Sequence, residues 1–253
     1  MKKSLSKNNK IWLTIGSVAA IVAVIVAVIV AVLFLTGNGG SSCPRGSHKR
    51  CAPLGDGEER CHCERDGSKP TIDKPIIYLY PEEVTSVNVQ LGYPDKLIAS
   101  YPAYGAGWSV TAYPCGKLVD NTSGRELYGL YWEGKGVALE IGDSGFVVKR
   151  EDVPEFLEEK LTILGLNDRE AEEFIVYWLP KLQANEYNLI RFADRNEIDE
   201  YMPLAVTPRP DSVIRILMLT KAIDAPIEIS EQDLGETPVR DGFTVVEWGG
   251  SEI

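Results

Sequence analysis

The longest hydrophobic stretch of the chain covers the 25 residues from Ile11 to Leu35, none of which is charged. A helix of this length can span the ~30 Å hydrocarbon core of a bilayer, because each residue adds ~1.5 Å. Residues 1–10 carry four lysines and no acidic residue, and such flanks stay in the cytoplasm. The pattern predicts a cytoplasmic basic tail over residues 1–10, a helix that crosses the cell membrane once over residues 11–36, and an extracytoplasmic remainder.

A cleaved signal peptide is the alternative interpretation of this stretch. The apolar region of a signal peptide normally has ~7–15 residues and is followed by small residues at the cleavage site. The observed stretch is longer, which favours a retained anchor, but residues 36–42 include small residues that a signal peptidase accepts. Whether the anchor is ever cleaved stays open at this point.

Residues 37–73 are predicted to form a juxtamembrane stalk and linker rich in cysteine. Four of the five cysteines lie here with the spacing C-x7-C-x9-C-x-C, at Cys43, Cys51, Cys61 and Cys63. Glycine, proline and charged residues dominate the segment, so it needs covalent or metal crosslinks to hold a fold. Outside the cytoplasm we expect disulfides. Because a bond between Cys61 and Cys63 would be strained, each is expected to pair with Cys43 or Cys51.

A zinc site is the alternative for the same four cysteines, since thiolates together with His48 or His62 could bind the metal tetrahedrally. The usual C-x2-4-C spacing of zinc knuckles is missing, which favours disulfides. The fifth cysteine, Cys115, stands apart from the others. We expect a buried or half-buried inert thiol there, because residues 74–253 contain no histidine to activate it.

From residue 74 onward, short segments of β-forming residues alternate with turn signals. In residues 84–91, for example, Val87, Val89 and Leu91 alternate with polar side chains, as in a half-buried strand. Residues 75–149 are therefore expected to form an antiparallel meander or sandwich. Residues 213–219 are almost wholly apolar and should form a central strand, in which Arg215 requires a carboxylate partner. The predicted strands cover residues 76–80, 84–91, 108–113, 127–132, 146–149, 187–192, 213–219 and 243–248.

Two helices are predicted between the first and second groups of strands. Residues 152–155 (DVPE) and 167–170 (NDRE) match the capping-box pattern that starts a helix. Gly165 should end the first helix, and Pro180 should kink or shorten the second. The fold class is therefore α+β: an N-terminal transmembrane helix, then an antiparallel β-rich domain over residues 74–253 with an inserted αα-hairpin.

A set of short segments in residues 74–253 is specific in combination. The segments are KPIIYLYPEE (74–83), YP (101–102), WSVTAYP-G (108–116), LYWEG (130–134), EEFIVYWLPKLQ (172–183), NEYNLIRF (185–192), TPRPDSVIRI (207–216) and GFTVVEWGG (242–250). Together they resemble a family of uncharacterised bacterial proteins with an N-terminal lipid or membrane anchor and an IYLYP-bearing domain. The resemblance implies export and envelope association. It implies no activity, and it does not extend to residues 43–63 or to Cys115.

Charge and composition limit the functions open to the domain. Residues 75–253 hold 15 basic and 31 acidic side chains, so the domain is a poor ligand for nucleic acid. The lack of histidine in residues 74–253 excludes histidine-based nucleophilic triads there. No phosphate-binding glycine loop follows a strand, and no cofactor is predicted.

Carboxylates beside aromatic residues are the remaining candidates for catalysis. Glu133 follows Tyr131 and Trp132, and Glu247 precedes Trp248. Two such carboxylates could act as the acid–base pair of a glycan hydrolase. The alternative is a structural role, with a glutamate on a solvated strand face or paired with Arg215.

Aromatic residues in the first third of the domain are the candidates for ligand binding, namely Tyr78, Tyr80, Tyr101 and Trp108. On one exposed surface they could bind sugar or peptide; buried, they would belong to the core. The sequence thus predicts a membrane-anchored extracytoplasmic binding or interaction module, with an envelope glycan hydrolase as the alternative. The expected partners are the membrane and an envelope protein or glycan, and the sequence leaves homo-oligomerisation open.

Overall fold

The computed structural model describes residues 47–53, 59–65, 70–135 and 139–253. The predicted transmembrane helix over residues 11–36 lies outside the described residues. Among the helices that the structure does describe, none has the length and apolar character needed to cross a membrane. The chain divides into two compact units, Met1–Ser68 and Lys69–Ile253.

In the first unit, part of the stalk forms a β-hairpin. Strand β1 (Ser47–Pro53) pairs antiparallel with β2 (Glu59–Arg65), and the register places Cys51 opposite Cys61. Regular structure in this segment was not predicted, because its polar composition gives no apolar alternation. The side chains of these strands lie outside the described part of the structure.

The second unit is built around a sheet of eight strands. In spatial order they are β14 (Ser230–Glu231), β10 (Ser144–Lys149), β11 (Tyr187–Phe192), β13 (Ser212–Ile223), β15 (Thr244–Glu252), β3 (Thr71–Tyr80), β9 (Leu130–Lys135) and β5 (Leu97–Tyr101). The sheet is mixed, since β13 pairs parallel with β15, and β10 pairs parallel with β14. The predicted antiparallel β-rich domain is therefore corrected at these two parallel pairings, whereas the central position of β13 is confirmed.

A second sheet of five strands packs against one face of the large sheet. Its strands in spatial order are β12 (Leu204–Thr207), β4 (Thr85–Leu91), β6 (Trp108–Ala112), β7 (Leu118–Asp120) and β8 (Glu126–Leu127). The alternating residues Val87, Val89 and Leu91 of β4 are buried between the sheets, as their period of two predicts. This inter-sheet core is one of two large apolar clusters.

Helices cover the other face of the large sheet. Helix α1 (Val153–Ile163) and helix α2 (Asp168–Leu182) form the predicted αα-hairpin between β10 and β11. They bury Leu157, Phe174 and Trp178 in the second apolar cluster. A third, short helix, α3 (Arg195–Tyr201), was not predicted and packs Ile198 into the inter-sheet core. The described domain is therefore α+β and rich in sheet.

The helix boundaries confirm some of the local predictions and correct others. The Asn167–Glu170 capping box forms in both directions, and Gly165 adopts a φ of +92° just after α1. Asp152 has helical backbone angles and makes no side-chain cap, so the first capping-box prediction was wrong. Helix α2 continues through Pro180 to Leu182 and is not shortened there.

Candidate functional site

The two glutamates considered as an acid–base pair lie on opposite faces of the large sheet. Glu247 points into the inter-sheet core, where its Oε1 accepts a hydrogen bond from Nε1 of Trp132 at 3.0 Å. Glu133 follows Trp132 on β9 and therefore faces the helix layer, because successive strand residues point to opposite faces. A glycosidase pair must flank one bond in one cleft. The structure does not bring Glu133 and Glu247 together, so it offers no site for a hydrolase built on this pair.

Glu247 is instead the ion-pair partner that the sequence required for Arg215. Arg215 Nε donates to Glu247 Oε2 at 2.6 Å, and Arg215 Nη1 donates to Asp199 Oδ1 at 2.8 Å. Asp199 also accepts a hydrogen bond from Arg195. Burial alone would raise the pKa of Asp199, but the hydrogen bonds from Arg215 and Arg195 outweigh it and hold that pKa below its usual value. Arg215 and Glu247 thus compensate each other's charge inside the fold, and Asp199 and Arg195 extend the cluster to the surface.

The four aromatic residues proposed to bind a ligand do not share a surface. Tyr78 and Trp108 are buried, Tyr80 is half-buried, and Tyr101 is 50% exposed. Tyr78 and Tyr80 face the helix layer, whereas Trp108 lies in the inter-sheet core and donates its indole N–H to the carbonyl of Pro102. Of the four, only Tyr101 presents its ring to solvent, so they form no common platform.

Tyr78 and Tyr80 attach helix α2 to strand β3. The hydroxyl of Tyr78 donates to Glu173 at 2.9 Å, and the hydroxyl of Tyr80 donates to Glu170 at 2.7 Å. Burial, with further contributions from these glutamates, raises the pKa of both tyrosines far above the usual value. Both hydroxyls therefore stay protonated and serve the packing of the helix.

The cysteines divide into those that the structure leaves undescribed and one that it places clearly. The side chains of Cys43, Cys51, Cys61 and Cys63 lie outside the described part, so the disulfide and zinc predictions stay predictions. Cys115 lies in the turn between β6 and β7 and is exposed. This corrects the expectation of a buried or half-buried thiol. Among the described residues, no group of three or more His, Cys, Asp or Glu side chains is arranged to hold a metal ion.

An open groove of about 450 Å³ lies between β10, the first half of α1 and residues 227–231. Phe146 and Phe156 form part of its lining, with their ring centroids 5.2 Å apart. Ile227 stands on the opposite wall and exposes 49% of its surface. This volume falls in the range of ~300–1,000 Å³ that is typical of ligand sites. We call it the β10–α1 groove.

The rim of the β10–α1 groove is acidic. Four carboxylates line the groove, those of Asp152, Glu155, Glu159 and Glu231, against the single amine of Lys160. Lys160 lies 3.0 Å from Glu159 and 3.8 Å from Glu231. The amine therefore offsets part of the charge of two carboxylates, and the rim keeps an excess of negative charge at the surface.

The floor of the groove contains an open strand edge. Strand β14 pairs only with Ser144 and Gly145, so within the described residues no strand covers β10 on that side from Phe146 onward. Arg150 donates its backbone N–H to Glu186 on the β11 side, and the direction of these groups alternates along a strand. The backbone N–H groups of Val147 and Lys149 and the carbonyl of Val147 therefore point to the open edge, beside the groove.

Two other cavities in the described residues are less suited to a ligand. One, beside Trp132 and Met202, has a volume of about 20 Å³, enough for a single water molecule. The other, of about 200 Å³, is lined by Arg195, Arg215 and Gln232. The polar side chains of these three residues bind other parts of the fold.

Comparisons with family models, with curated proteins and with solved structures returned no match for this chain. The β10–α1 groove therefore stands on its geometry. A sequence signal for it does exist, because Asp152, Glu155 and Glu159 have the spacing of one helical face. Sequence reasoning missed it because the opposite wall at Ile227 lies about seventy positions further along the chain.

Proposed function

We propose that this chain is a single-pass membrane protein whose extracytoplasmic α+β domain is a binding module of the cell envelope. The apolar stretch over residues 11–36, the lysines before it and the cysteine-rich stalk over residues 37–73 support this location. The resemblance of residues 74–253 to anchored bacterial proteins supports it as well. The compact unit that contains the domain begins at Lys69 and its first strand at Thr71, close to the proposed boundary.

The observation that carries the binding role is the β10–α1 groove. It combines the exposed Ile227 and the half-buried Phe156 with an uncovered strand edge and surplus charge in one concavity. Exposed apolar surface rimmed by polar groups is typical of interaction sites. The alternative function, cleavage of an envelope glycan, has no comparable support, since Glu133 and Glu247 are separated by the sheet.

The exposed thiol of Cys115 allows the proposed location to be tested without an added label site. Intact cells that produce the full-length chain are treated with a membrane-impermeant maleimide. We expect labelling of the wild type that is lost in the variant Cys115→Ser, because the domain is proposed to lie outside the cytoplasm. Labelling of Cys115 only after the cells are lysed would contradict the location.

The binding role is tested by placing a photo-crosslinking amino acid in the groove of the full-length protein in its own organism. Ile227 on the groove wall is the test position, and Val176, 69% exposed on α2, is the control. We expect a discrete adduct from position 227 that position 176 does not give. Equal or absent crosslinking at the two positions would contradict a binding function for the groove.

A further inference from the structure

We infer that the β10–α1 groove takes an extended, cationic polypeptide segment, which adds as a strand to the open edge of β10. This inference rests on the proposed binding function and adds the chemical class of the partner. Three features of the groove carry it: the unpaired backbone of β10, the apolar rings beside that backbone, and the excess of carboxylates on the rim.

The backbone of β10 favours a polypeptide over a compact ligand. The N–H and carbonyl of Val147 and the N–H of Lys149 point to the open side, and β14 stops at the level of Gly145. An added strand would satisfy these groups with main-chain hydrogen bonds, as in the known mode of β-strand addition. At ~3.3 Å per residue, the open stretch from Phe146 to Lys149 pairs with about four residues of a partner.

The side chains of the groove define what such a segment should carry. The half-buried Phe156 and the exposed Ile227 offer apolar contact to the added strand, including the aliphatic stems of basic side chains. Asp152, Glu155 and Glu231 lie on the rim of the groove and are exposed to solvent.

Phe146 faces the helix layer, and Asp152 and Glu155 lie at the start of α1 in that layer, so basic side chains of the added strand complement the rim when they face α1. Their neighbours along the strand then point to the other face, beside the half-buried Val147 and Ile229, and a segment with alternating apolar and basic residues therefore fits best.

The same charges argue against a second copy of this chain as the occupant. Pairing of two β10 edges would bring two acidic rims together, and like charges across an interface are unfavourable. The domain as a whole is strongly acidic, with 31 acidic against 15 basic side chains in residues 75–253. A cationic partner is attracted both by the rim and by the wider surface.

The test uses the full-length protein in nanodiscs of zwitterionic lipid and fluorescent synthetic peptides. The probe is KVKVKVK, with EVEVEVE as the charge control and a KVKVKVK that is N-methylated on alternate residues as the backbone control. We expect fluorescence anisotropy to show saturable binding of KVKVKVK and of neither control peptide. The binding of KVKVKVK should weaken as the salt concentration is raised. If EVEVEVE, or the N-methylated peptide, bound as tightly as KVKVKVK, the inference would be overturned.

Protein variants locate the site independently of the peptides. The double variant Glu155→Gln/Glu159→Gln should weaken KVKVKVK binding about fivefold or more. The matched control Glu172→Gln/Glu200→Gln removes two exposed glutamates elsewhere and should leave the binding within about twofold. Val147→Pro removes an edge N–H and should abolish binding; if that variant fails to fold, the N-methylated peptide still tests the same contact. Equal loss in the two double variants would overturn the placement in the groove.

Failure of this inference and failure of the binding function give different results. A crosslinked adduct at Ile227 that proves to be glycan, together with no binding of KVKVKVK, would overturn the cationic segment and leave the binding function standing. No adduct at Ile227 would contradict the binding function itself. An adduct that digests to lysine- or arginine-rich peptides, with KVKVKVK competing for it, is the result expected here.

Discussion

Arg215 and Glu247 lie side by side on two neighbouring parallel strands, although 32 residues separate them in the chain. Their side chains are only 1% and 3% exposed. Trp132 on β9 donates a hydrogen bond to Glu247, and Asp199 on α3 accepts a hydrogen bond from Arg215. This buried ion pair therefore connects β13, β15 and β9 of the large sheet with helix α3, which packs into the inter-sheet core.

Removal of Arg215 should be strongly destabilising. The variant Arg215→Met leaves Glu247 buried without its counter-charge, which costs about 3–5 kcal/mol. We expect the double variant Arg215→Met/Glu247→Leu to recover much of this loss, because no unpaired charge then remains. Urea unfolding of the full-length protein in detergent micelles measures the free energies. A double variant no more stable than Arg215→Met would show that the charge imbalance is not the cause.

Acid should remove the contribution of Asp199. Its pKa is lowered in the folded protein, so it stabilises the fold above the pKa of the unfolded state, near ~3.9, and that stabilisation is lost as the pH falls through the folded pKa. The stability difference between wild type and Asp199→Asn should therefore be largest at neutral pH and shrink below about pH 4. Asp224→Asn, at an exposed position, is the control; a difference that grew on acidification would contradict the account.

Gly250 should not tolerate any side chain. A Cβ at this position would collide with Cζ2 of the buried Trp178 and would lie 2.9 Å from the carbonyl oxygen of Met218. Gly250→Ala should lower the unfolding free energy by about 1–3 kcal/mol or more. The same change should be better tolerated when combined with Trp178→Leu than in the wild-type background. The control Val176→Ala changes an exposed residue of α2, the helix that carries Trp178, and should leave the unfolding free energy almost unchanged. A Gly250→Ala variant as stable as the wild type would refute the close packing.

The stalk should contain two disulfides with one connectivity. The hairpin register sets Cys51 opposite Cys61, and facing Cα atoms of an antiparallel pair, ~4.5–5.5 Å apart, fall within the range of disulfides. We predict bonds between Cys51 and Cys61 and between Cys43 and Cys63, with a free thiol at Cys115. Peptide mapping by mass spectrometry without reduction tests the pairing. Five free thiols, or one bound zinc per chain, would rule out the oxidised stalk.

Local patterns in the sequence predict several elements of this domain well. The alternation in residues 84–91 matches β4, and residues 187–192 match β11. The need of Arg215 for a carboxylate is met by Glu247, because an isolated charge cannot be buried. These features depend on a residue and its immediate neighbours, which the sequence displays directly.

Features that depend on distant parts of the chain were not predictable in this way. The parallel pairing of β13 with β15 depends on the path of residues 224–243, which carry no clear periodicity. Strand β5 was missed because its residues are partly exposed on both faces. The candidate groove depends on the meeting of β10, α1 and Ile227, and the separation of Glu133 from Glu247 depends on strand register. Tertiary packing decides each of these.

The central claim is that the β10–α1 groove is occupied by an envelope partner, and amide hydrogen exchange tests it most directly. Exchange in residues 145–149 is compared between the protein in its native membrane vesicles and the purified protein in detergent, with residues 172–177 of α2 as the internal reference. The account predicts slower exchange at Val147 and Lys149 in the native vesicles, with no change in the reference. Equal exchange of residues 145–149 in the two preparations would contradict it.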